Sequence, residues 1–508
     1  MIQNHFKPAG PFAAEEVPII QLRARLKTEI QDGNRLGLLT ASATSDGHEL
    51  LTVIISPLGH SVRIINSLLP HDAVTYSSLT PDIPQAHWFE REIADMWGLR
   101  PIGHPRMKSL VMHDSFPDNF FPLAAGASLP TSRMRSRRVP YRFTVVQGNG
   151  VYEVPVGPVH AGVIEPGHFR FSCLGEVIEN LEIRLGFVHR GVEEHLTQCS
   201  WQSARYVVEA ASSDTSAGNA VAHAFAMESL CGVTVSESVR RLRAACVEIE
   251  RIACHIGDLA GICADIGFGA GSSAFGVLRA AVLGIAELLT GSRFMTGFLA
   301  PFYQRGLPDA AVLTEAASRL TEVGLQLRLT LPLLMDNAGA IERMEGMGIM
   351  KPSLAREFGL VGPAARASGI DYDVRKALPT PEYECIEWPI AIWNEGDVLA
   401  RARVRAHELA TSVRLAEALL TGIAVVKQPS CITRLPANAT GIGIVEAWRG
   451  ELIHLVQTDE TGRIARYKIK DPSFNNWTAL AVSVRGRLLS DFPLCNKSFS
   501  LSYSGTDL

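Results

Sequence analysis

Through residues 35–80 the hydrophobic positions come in short runs. LLTASATSDGHELLTVIIS and HSVRIINSLL carry β-branched stretches broken by Asp-Gly and Pro. Such text predicts short strands and turns. The period then lengthens: IPQAHWFEREIADMWGL predicts a helix, closed by the Pro-, Gly- and His-rich RPIGHPRM. Residues 1–125 therefore read as one α+β domain. Residues 126–140, within AGASLPTSRMRSRRVP, are small, polar and basic, a linker composition. Arg133, Arg135, Arg137 and Arg138 there are either a solvated linker or a contact for an acidic partner surface.

From residue 141 the pattern is again strand-like, in YRFTVVQGNGVYEVPVG and HFRFSC, and after about 176 it becomes mostly helical. The clearest helix is TVSESVRRLRAACVEIERIACHIGDLAGICAD. Its apolar positions, from Val239 and Leu242 through Cys246 and Ile249 to Leu259 and Cys263, step by three or four into one stripe. Thr234 and Glu237 offer a capping box at its start. GDVLARARVRAHELATSVRLAEALL is a second long helix. After Pro429 strands return in GIGIVEAWRGELIHLVQ and RIARYKIK, with a turn at Asp459–Gly462. The expected fold is α+β: an N-terminal α+β domain, then a larger, mainly α-helical domain over 141–508 with β elements at its two ends.

Composition narrows the function. A chain of 508 residues is too long for one ordinary domain. A net charge of −4 gives no reason to expect a nucleic-acid partner. The mean hydropathy, +0.12, fits either apolar surface covered by partner subunits or an Ala- and Leu-rich helical core. The N-terminus has no signal-peptide pattern. AFGVLRAAVLGIAELLTG is interrupted by Arg279 and Glu287, so it reads as a buried helix and no direct membrane span is expected. The nine cysteines include no Cys-x-x-Cys pair, which points to a reducing compartment and away from an iron–sulfur site in this chain. No Gly-x-Gly-x-x-Gly sits on a strand–helix turn, so NAD is not expected to bind here.

AHWFEREIADMWGLRPIGHP resembles the signature of the 30-kDa subunit family of respiratory complex I, W-[FY]-E-R-E-x-x-D-[ML]-[FW]-G followed by G-H-P. Its fixed positions fall on Trp88, Glu90, Arg91, Glu92, Asp95, Met96, Trp97, Gly98, Gly103, His104 and Pro105. Helical spacing of the charged members favours an interface helix over catalysis. From about 141 to 508 the chain resembles the 49-kDa subunit family and the large subunits of group 4 nickel–iron hydrogenases. The likeness is carried by GPVHAGVIEPGHFRF, GFVHRGVEEH, EIERIACHIGDLAGICADIGF, GLVGPAARASGIDYDVRK, GDVLARARVR and PSFNNWTAL, in the family's order. The wording EPGHFR and the fused layout lean towards the hydrogenase branch, as in formate hydrogenlyase large subunits.

In that branch two Cys-x-x-Cys pairs hold nickel and iron, because soft thiolates suit those metals. Registered on Glu228, the first pair falls on Ser212 and Thr215. Registered on Thr506 and Asp507, the second falls on Ser502 and Gly505. All four thiolates are absent, so no metal is expected. The chain also shows no tail beyond Asp507 and Leu508 of the kind such subunits lose after metal loading. In the complex I branch the same cavity takes a quinone headgroup, with a histidine, a tyrosine and a supporting acid. Here Asp265 stands for the acid, the histidine position falls near Pro166 with His168 two residues on, and the tyrosine position falls near Ser213. Tyr503 and His223 are substitutes to consider. His160, His168 and Asp265 are thus the candidate proton-handling residues, although each histidine reads first as a fold-stabilising hydrogen bonder.

Arg190 reads as an ion-pair partner of Glu193 and, by the resemblance, as a neighbour of the partner's terminal iron–sulfur cluster. Asp371, Asp373 and Arg375 read as a turn with an ion pair. The resemblance implies a peripheral subunit on the cytoplasmic side of the inner membrane. Its partners would be a small subunit bearing a four-iron cluster, a ferredoxin-like subunit and ion-pumping membrane subunits. The donor would be NADH or another reductant, and a quinone the acceptor. The rival is a non-catalytic scaffold that keeps the fold and interfaces without the chemistry.

Overall fold

Residues 14–70 build a four-stranded sheet in the order Ala14–Glu16, Ser61–Pro70, Gly47–Ser56, Arg35–Thr44. The first pair is parallel and the others antiparallel. This computed structural model describes residues 12, 14–44, 47–70, 72–124, 126–127, 139–160, 164–302, 306–424 and 432–508. The linker arginines 133, 135, 137 and 138 lie outside them. Strand Arg35–Thr44 is buried on both faces over most of its length. Helix His87–Trp97 packs against it, and strand Ile464–Lys470 of the C-terminal sheet also touches it.

The charged motif on helix His87–Trp97 ties this domain together from within. Trp88 to Trp97 are all buried. Glu90 accepts from Leu79 N at 2.8 Å and from the hydroxyls of Ser78 and Thr80, each at 2.6 Å. Asp95 Oδ2 accepts from Leu110, Val111 and Met112 backbone N–H groups, and Arg91 donates to the carbonyls of Lys108 and Ser109. Carboxylates that collect several backbone donors fold the irregular loops onto the helix. Glu92 reaches outwards, at 2.7 Å from Lys468 Nζ, and Lys468 also holds Glu193 at 2.8 Å. The interface this helix serves is the one to the chain's own second domain, and the hydrophobic core runs across that junction.

The second domain opens with an antiparallel sheet of Val151–Val156, His168–Leu174 and Val177–Arg184. Its third strand lies where helix was expected, because Gly175, at φ +59°, turns the chain back to pair with strand His168–Leu174. Tyr141–Gln147 forms no strand. Helix Glu237–Asp265 is the central rod, packed on Ser216–Cys231, Gly269–Thr290 and Val398–Leu420, and its stripe is buried, Cys246 and Cys263 included. The capping box at Thr234 and Glu237 does not form. Ser236 is the cap, accepting from Val239 N. Gly269–Thr290 is not the buried helix its sequence suggested: only 33% of its apolar window is buried, and by length and composition alone it is long enough to cross a membrane.

Strands Thr440–Ala447, Gly450–Thr458 and Ile464–Lys470 form the last sheet. Gly441 and Gly443 lie on one face, where a Cβ would run into the carbonyls of Ala226 and Ala222. Their bareness lets the Ala-rich helix Ser216–Cys231 lie directly on the strand, which fixes its N-terminal end beside the chain's C-terminal segment. Under it Arg366 bridges Glu408 at 2.8 Å and Glu446 at 2.7 Å, and Arg375 pairs with Asp373 at 2.7 Å and Glu248 at 2.9 Å. The expected Asp373–Arg375 pair is therefore present, while Asp371 is exposed.

Candidate functional site

Ser212 and Thr215 occupy the turn that starts helix Ser216–Cys231, and residues 501–508 return to it fully buried. Ser212 Oγ and Ser502 Oγ are 3.0 Å apart although 290 positions separate them. Gly505 joins through its N–H, which donates to Ser502 Oγ at 2.9 Å. Thr215 Oγ1 accepts from Trp448 Nε1 at 3.1 Å and Arg449 Nη1 at 3.0 Å. The four positions thus converge, with a guanidinium among them. Arg449 holds Asp214 through two bonds of 2.7 Å and donates from Nε to the Ser500 carbonyl at 2.6 Å. Desolvation opposes the charge on Asp214, yet the Arg449 pair wins and holds its carboxyl at about 2.

A nickel–iron group does not fit this set. The hydroxyls of Ser212, Thr215 and Ser502 are committed to one another, to Asp214 or to Arg449. A Cβ at Gly505 would stand 2.5 Å from Asp471 Oδ2, so a side chain there needs Asp471 to move.

Beside this cluster lies a cavity of 590 Å³, walled by Ser212, Ser502, Asp214, His160, Asp265 and Tyr503. One wall is a face of helix Glu237–Asp265. Cys254, Gly257, Asp258 and Asp265 fall there at helical spacing, and Arg279 and Lys497 lie across the bare Gly257 and Gly261. Asp258 is committed to Arg405 at 2.8 Å and to Ser500 Oγ at 2.6 Å. Asp265 has no such partner among the described residues, and desolvation raises its carboxyl above the usual range although Lys497 pulls the other way.

The candidate residues separate. His160 is on the wall, its Nε2 2.8 Å from the Gly167 carbonyl, and Asp265 joins it there. His168 does not. Strand alternation turns its ring away, to the Gly157 carbonyl at 3.2 Å and the Phe143 ring at 5.3 Å. Ser213 is on the wall. His223 is in the core, bonded to Tyr467 Oη at 2.8 Å. Arg190 is not paired with Glu193, whose partners are Arg466 and Lys468. It instead caps the carbonyls of Ala210 and Ala211 at 3.0 and 2.9 Å, bracing the turn into Ser212. Sequence reading missed Asp214, Arg449 and Arg279. The legible signal was the pair Gly257 and Gly261 inside a long helix, where each glycine costs about 1 kcal/mol unless something lies across it.

Residues 19–131 match the family of the respiratory-chain NADH dehydrogenase 30 Kd subunit, and residues 265–433 and 425–507 match that of the 49 Kd subunit. Formate hydrogenlyase subunit 5 of Escherichia coli is 30% identical over 443 residues, covering 85% of this chain and 77% of that protein. The carbon monoxide-induced hydrogenase of Rhodospirillum rubrum is 30% identical over 369 residues, 70% of this chain and 99% of that one. An NADH-quinone oxidoreductase subunit of Phocaeicola vulgatus is 27% identical over 361 residues, 66% and 68% of the two chains. A solved chain of the membrane-bound sulfane sulfur reductase, an archaeal respiratory membrane complex, shares the fold with a TM-score of 0.67, at 24% identity over 71% of this chain and 99% of that chain. With a 30-kDa-type domain fused ahead of a 49-kDa-type domain, the chain belongs to the family of complex I 49-kDa subunits and their hydrogenase relatives, formate hydrogenlyase subunit 5 among them.

Proposed function

We propose that this chain is a peripheral subunit of a membrane-associated, complex I-like oxidoreductase and shapes the site where electrons leave an iron–sulfur chain for a small quinone-type acceptor. The observation that carries the reading is the 590 Å³ cavity beside the converged Ser212 and Ser502, with Asp265 and His160 on its wall. Reduction of a dione to a diol takes two electrons and two protons. The electrons would come from a four-iron cluster on a partner small subunit, fed through a ferredoxin-like subunit from NADH or another donor. The protons would come from this chain: from Asp265, whose carboxyl partial desolvation holds above the usual range, and from His160. Ion-pumping membrane subunits would complete the complex, placing the chain on the cytoplasmic side.

The scaffold reading has one observation in its favour, the loss of all four thiolate positions. Closure of the cavity by Tyr503 or Phe499 would have strengthened it. Tyr503 instead forms part of the wall, and Phe499 stacks under Arg401 at 4.2 Å. The test is purification of the complex through a tag on this chain, with subunit identification and metal analysis. An iron–sulfur subunit and membrane subunits should co-purify, with iron but no stoichiometric nickel. Nickel near one per chain, lost on Ser502→Ala, would overturn the reading.

A further inference from the structure

Behind the cavity wall that carries Trp448 lies a buried ionic cluster whose charges do not balance. Arg366 holds Glu408 at 2.8 Å, Glu446 at 2.7 Å and Asp373 at 3.4 Å. Arg375 holds Asp373 at 2.7 Å and Glu248 at 2.9 Å, and Arg251 joins Glu248 at 3.2 Å. Every one of these side chains is buried. Among the described residues the linked set has three guanidinium groups against four carboxylates. The ion pairs around it are already matched: Arg405 with Asp258, Arg240 with Glu382, and Lys470 with Glu451, the cross-strand neighbour of Glu446. Arg35 and Lys376 are part-exposed and lie over the rings of Tyr372 and Trp388. Helix Ser216–Cys231 brings apolar Val221 and Phe225 to this end of the strand. An excess charge is costly to bury, and a buried acid in that position takes up a proton instead.

Glu446 has the least support for its charge. Glu248 accepts from Arg251, Arg375, Tyr383 Oη and Ser412 Oγ, and Asp373 takes two nitrogens of Arg375. Glu408 takes Arg366 Nε and His255 Nε2, each at 2.8 Å. Glu446 has one guanidinium nitrogen, Arg366 Nη1, which Asp373 shares, and the Val374 N–H at 3.0 Å. Desolvation and the neighbouring Asp373 push its carboxyl up to about 7. Against desolvation, their arginines hold the other three carboxyls below the usual range. His255 is the other base in reach of the proton. Its Nδ1 has no partner among the described residues, so an imidazolium there would bury a bare N–H along with its charge. Desolvation holds it below its ordinary value, although Glu408 pulls the other way.

We propose that this cluster is a proton-binding site, which holds one exchangeable proton seated on Glu446 and carries one net negative charge when that proton leaves. A cavity of 40 Å³ borders it, walled by Arg375, Glu446 and the part-exposed Thr380 and Tyr383. A space of that size admits a water, which lets the proton exchange with solvent. The Trp448 ring meets the His255 ring edge-on at 6.3 Å, and its Nε1 donates to Thr215 Oγ1. The charge that the proton sets therefore lies directly behind the wall of the larger cavity, whatever that cavity binds.

The test is infrared spectroscopy of the tag-purified complex as pH is carried through neutrality, with and without glutamate labelled at its side-chain carboxyl. The wild-type complex should show a protonated carboxyl band that fades as pH rises and moves when glutamate is labelled. Glu446→Gln, which keeps the size of the neutral acid and an acceptor for Arg366, should lack that band. Glu408→Gln leaves three guanidinium groups against three carboxylates, so the band should fade about one pH unit or more lower. A carboxylate with a purely structural role gives no such band. A band that survives Glu446→Gln would put the proton elsewhere and overturn the assignment. A midpoint unmoved in Glu408→Gln would overturn the charge balance, and that arm stands even where Glu446→Gln fails to assemble.

Discussion

Arg449 joins the turn that carries Ser212 and Thr215 to the C-terminal segment, and it does so by charge. It reaches Asp214 and Thr215 on one segment and the Ser500 carbonyl on the other. Asp214 keeps 43% of its side chain exposed to the cavity, so the pair is partly screened, and its contribution to stability is smaller than the Asp214 shift alone suggests. Gly167 is the other residue whose identity the site requires. Gly167→Ala puts a methyl into the Tyr503 ring, and overpacking of this kind costs about 1–3 kcal/mol. The expected outcome is a lower denaturation midpoint, read by chemical unfolding. Unchanged stability would mean that the Tyr503 ring is free to move.

Among the elements, the long helices were the most legible and their ends the least. The three-and-four spacing from Val239 to Cys263 survives any tertiary arrangement that buries one face of a helix. A cap depends on which hydroxyl or carboxylate meets the free N–H groups, and Ser236 did so in place of Thr234. Caps differ in strength accordingly. Asp397 accepts from Ala400 N at 2.7 Å and, through its other oxygen, from Gly346 N at 2.7 Å, so it starts helix Val398–Leu420 and pins a loop. Asp397→Ala should cost about 2 kcal/mol in equilibrium unfolding. Ser236→Ala, whose bond is 3.4 Å long, should cost under about 1 kcal/mol. Equal losses would show that the pinned loop adds nothing.

For the whole molecule, buried ionisable groups give stability a pH dependence of two signs. Desolvation holds His87 at about 2, against about 6.5 unfolded. Below pH 6.5 the unfolded chain takes up a proton there that the folded chain refuses, so stability falls by about 1.4 kcal/mol per pH unit from this group. Asp507 is pushed by desolvation to about 7. Between about pH 7 and 4 the folded chain binds a proton that the unfolded chain does not, and stability rises as pH falls. The two partly cancel in the wild type and separate in variants. Relative to wild type, the melting temperature of His87→Gln should rise as pH is lowered from 6.5 to 4.5, and that of Asp507→Asn should fall over the same range. Thermal scans at four pH values check both, and parallel curves would show that neither group titrates as its burial requires.

The sequence by itself determined the order of the two domains, the helical stripe, the strand runs of residues 35–80 and the Asp373–Arg375 pair. Each of these is set by spacing or by residue type. Tertiary structure decided the rest, because it depends on which distant segments meet. Arg35–Thr44 is buried on both faces because a strand from residues 464–470 reaches it, and Glu193 takes Lys468 and Arg466 in place of Arg190. Gly269–Thr290 is half open because its neighbours cover only one side. On strand His168–Leu174 Phe169 faces the cavity and His168 does not, since alternation along a strand fixes that neighbouring side chains diverge but not which side the cavity takes. That Ser212 would meet Ser502 followed from registering the chain on its family. That the space beside them stays open is a property of packing that no local pattern encodes.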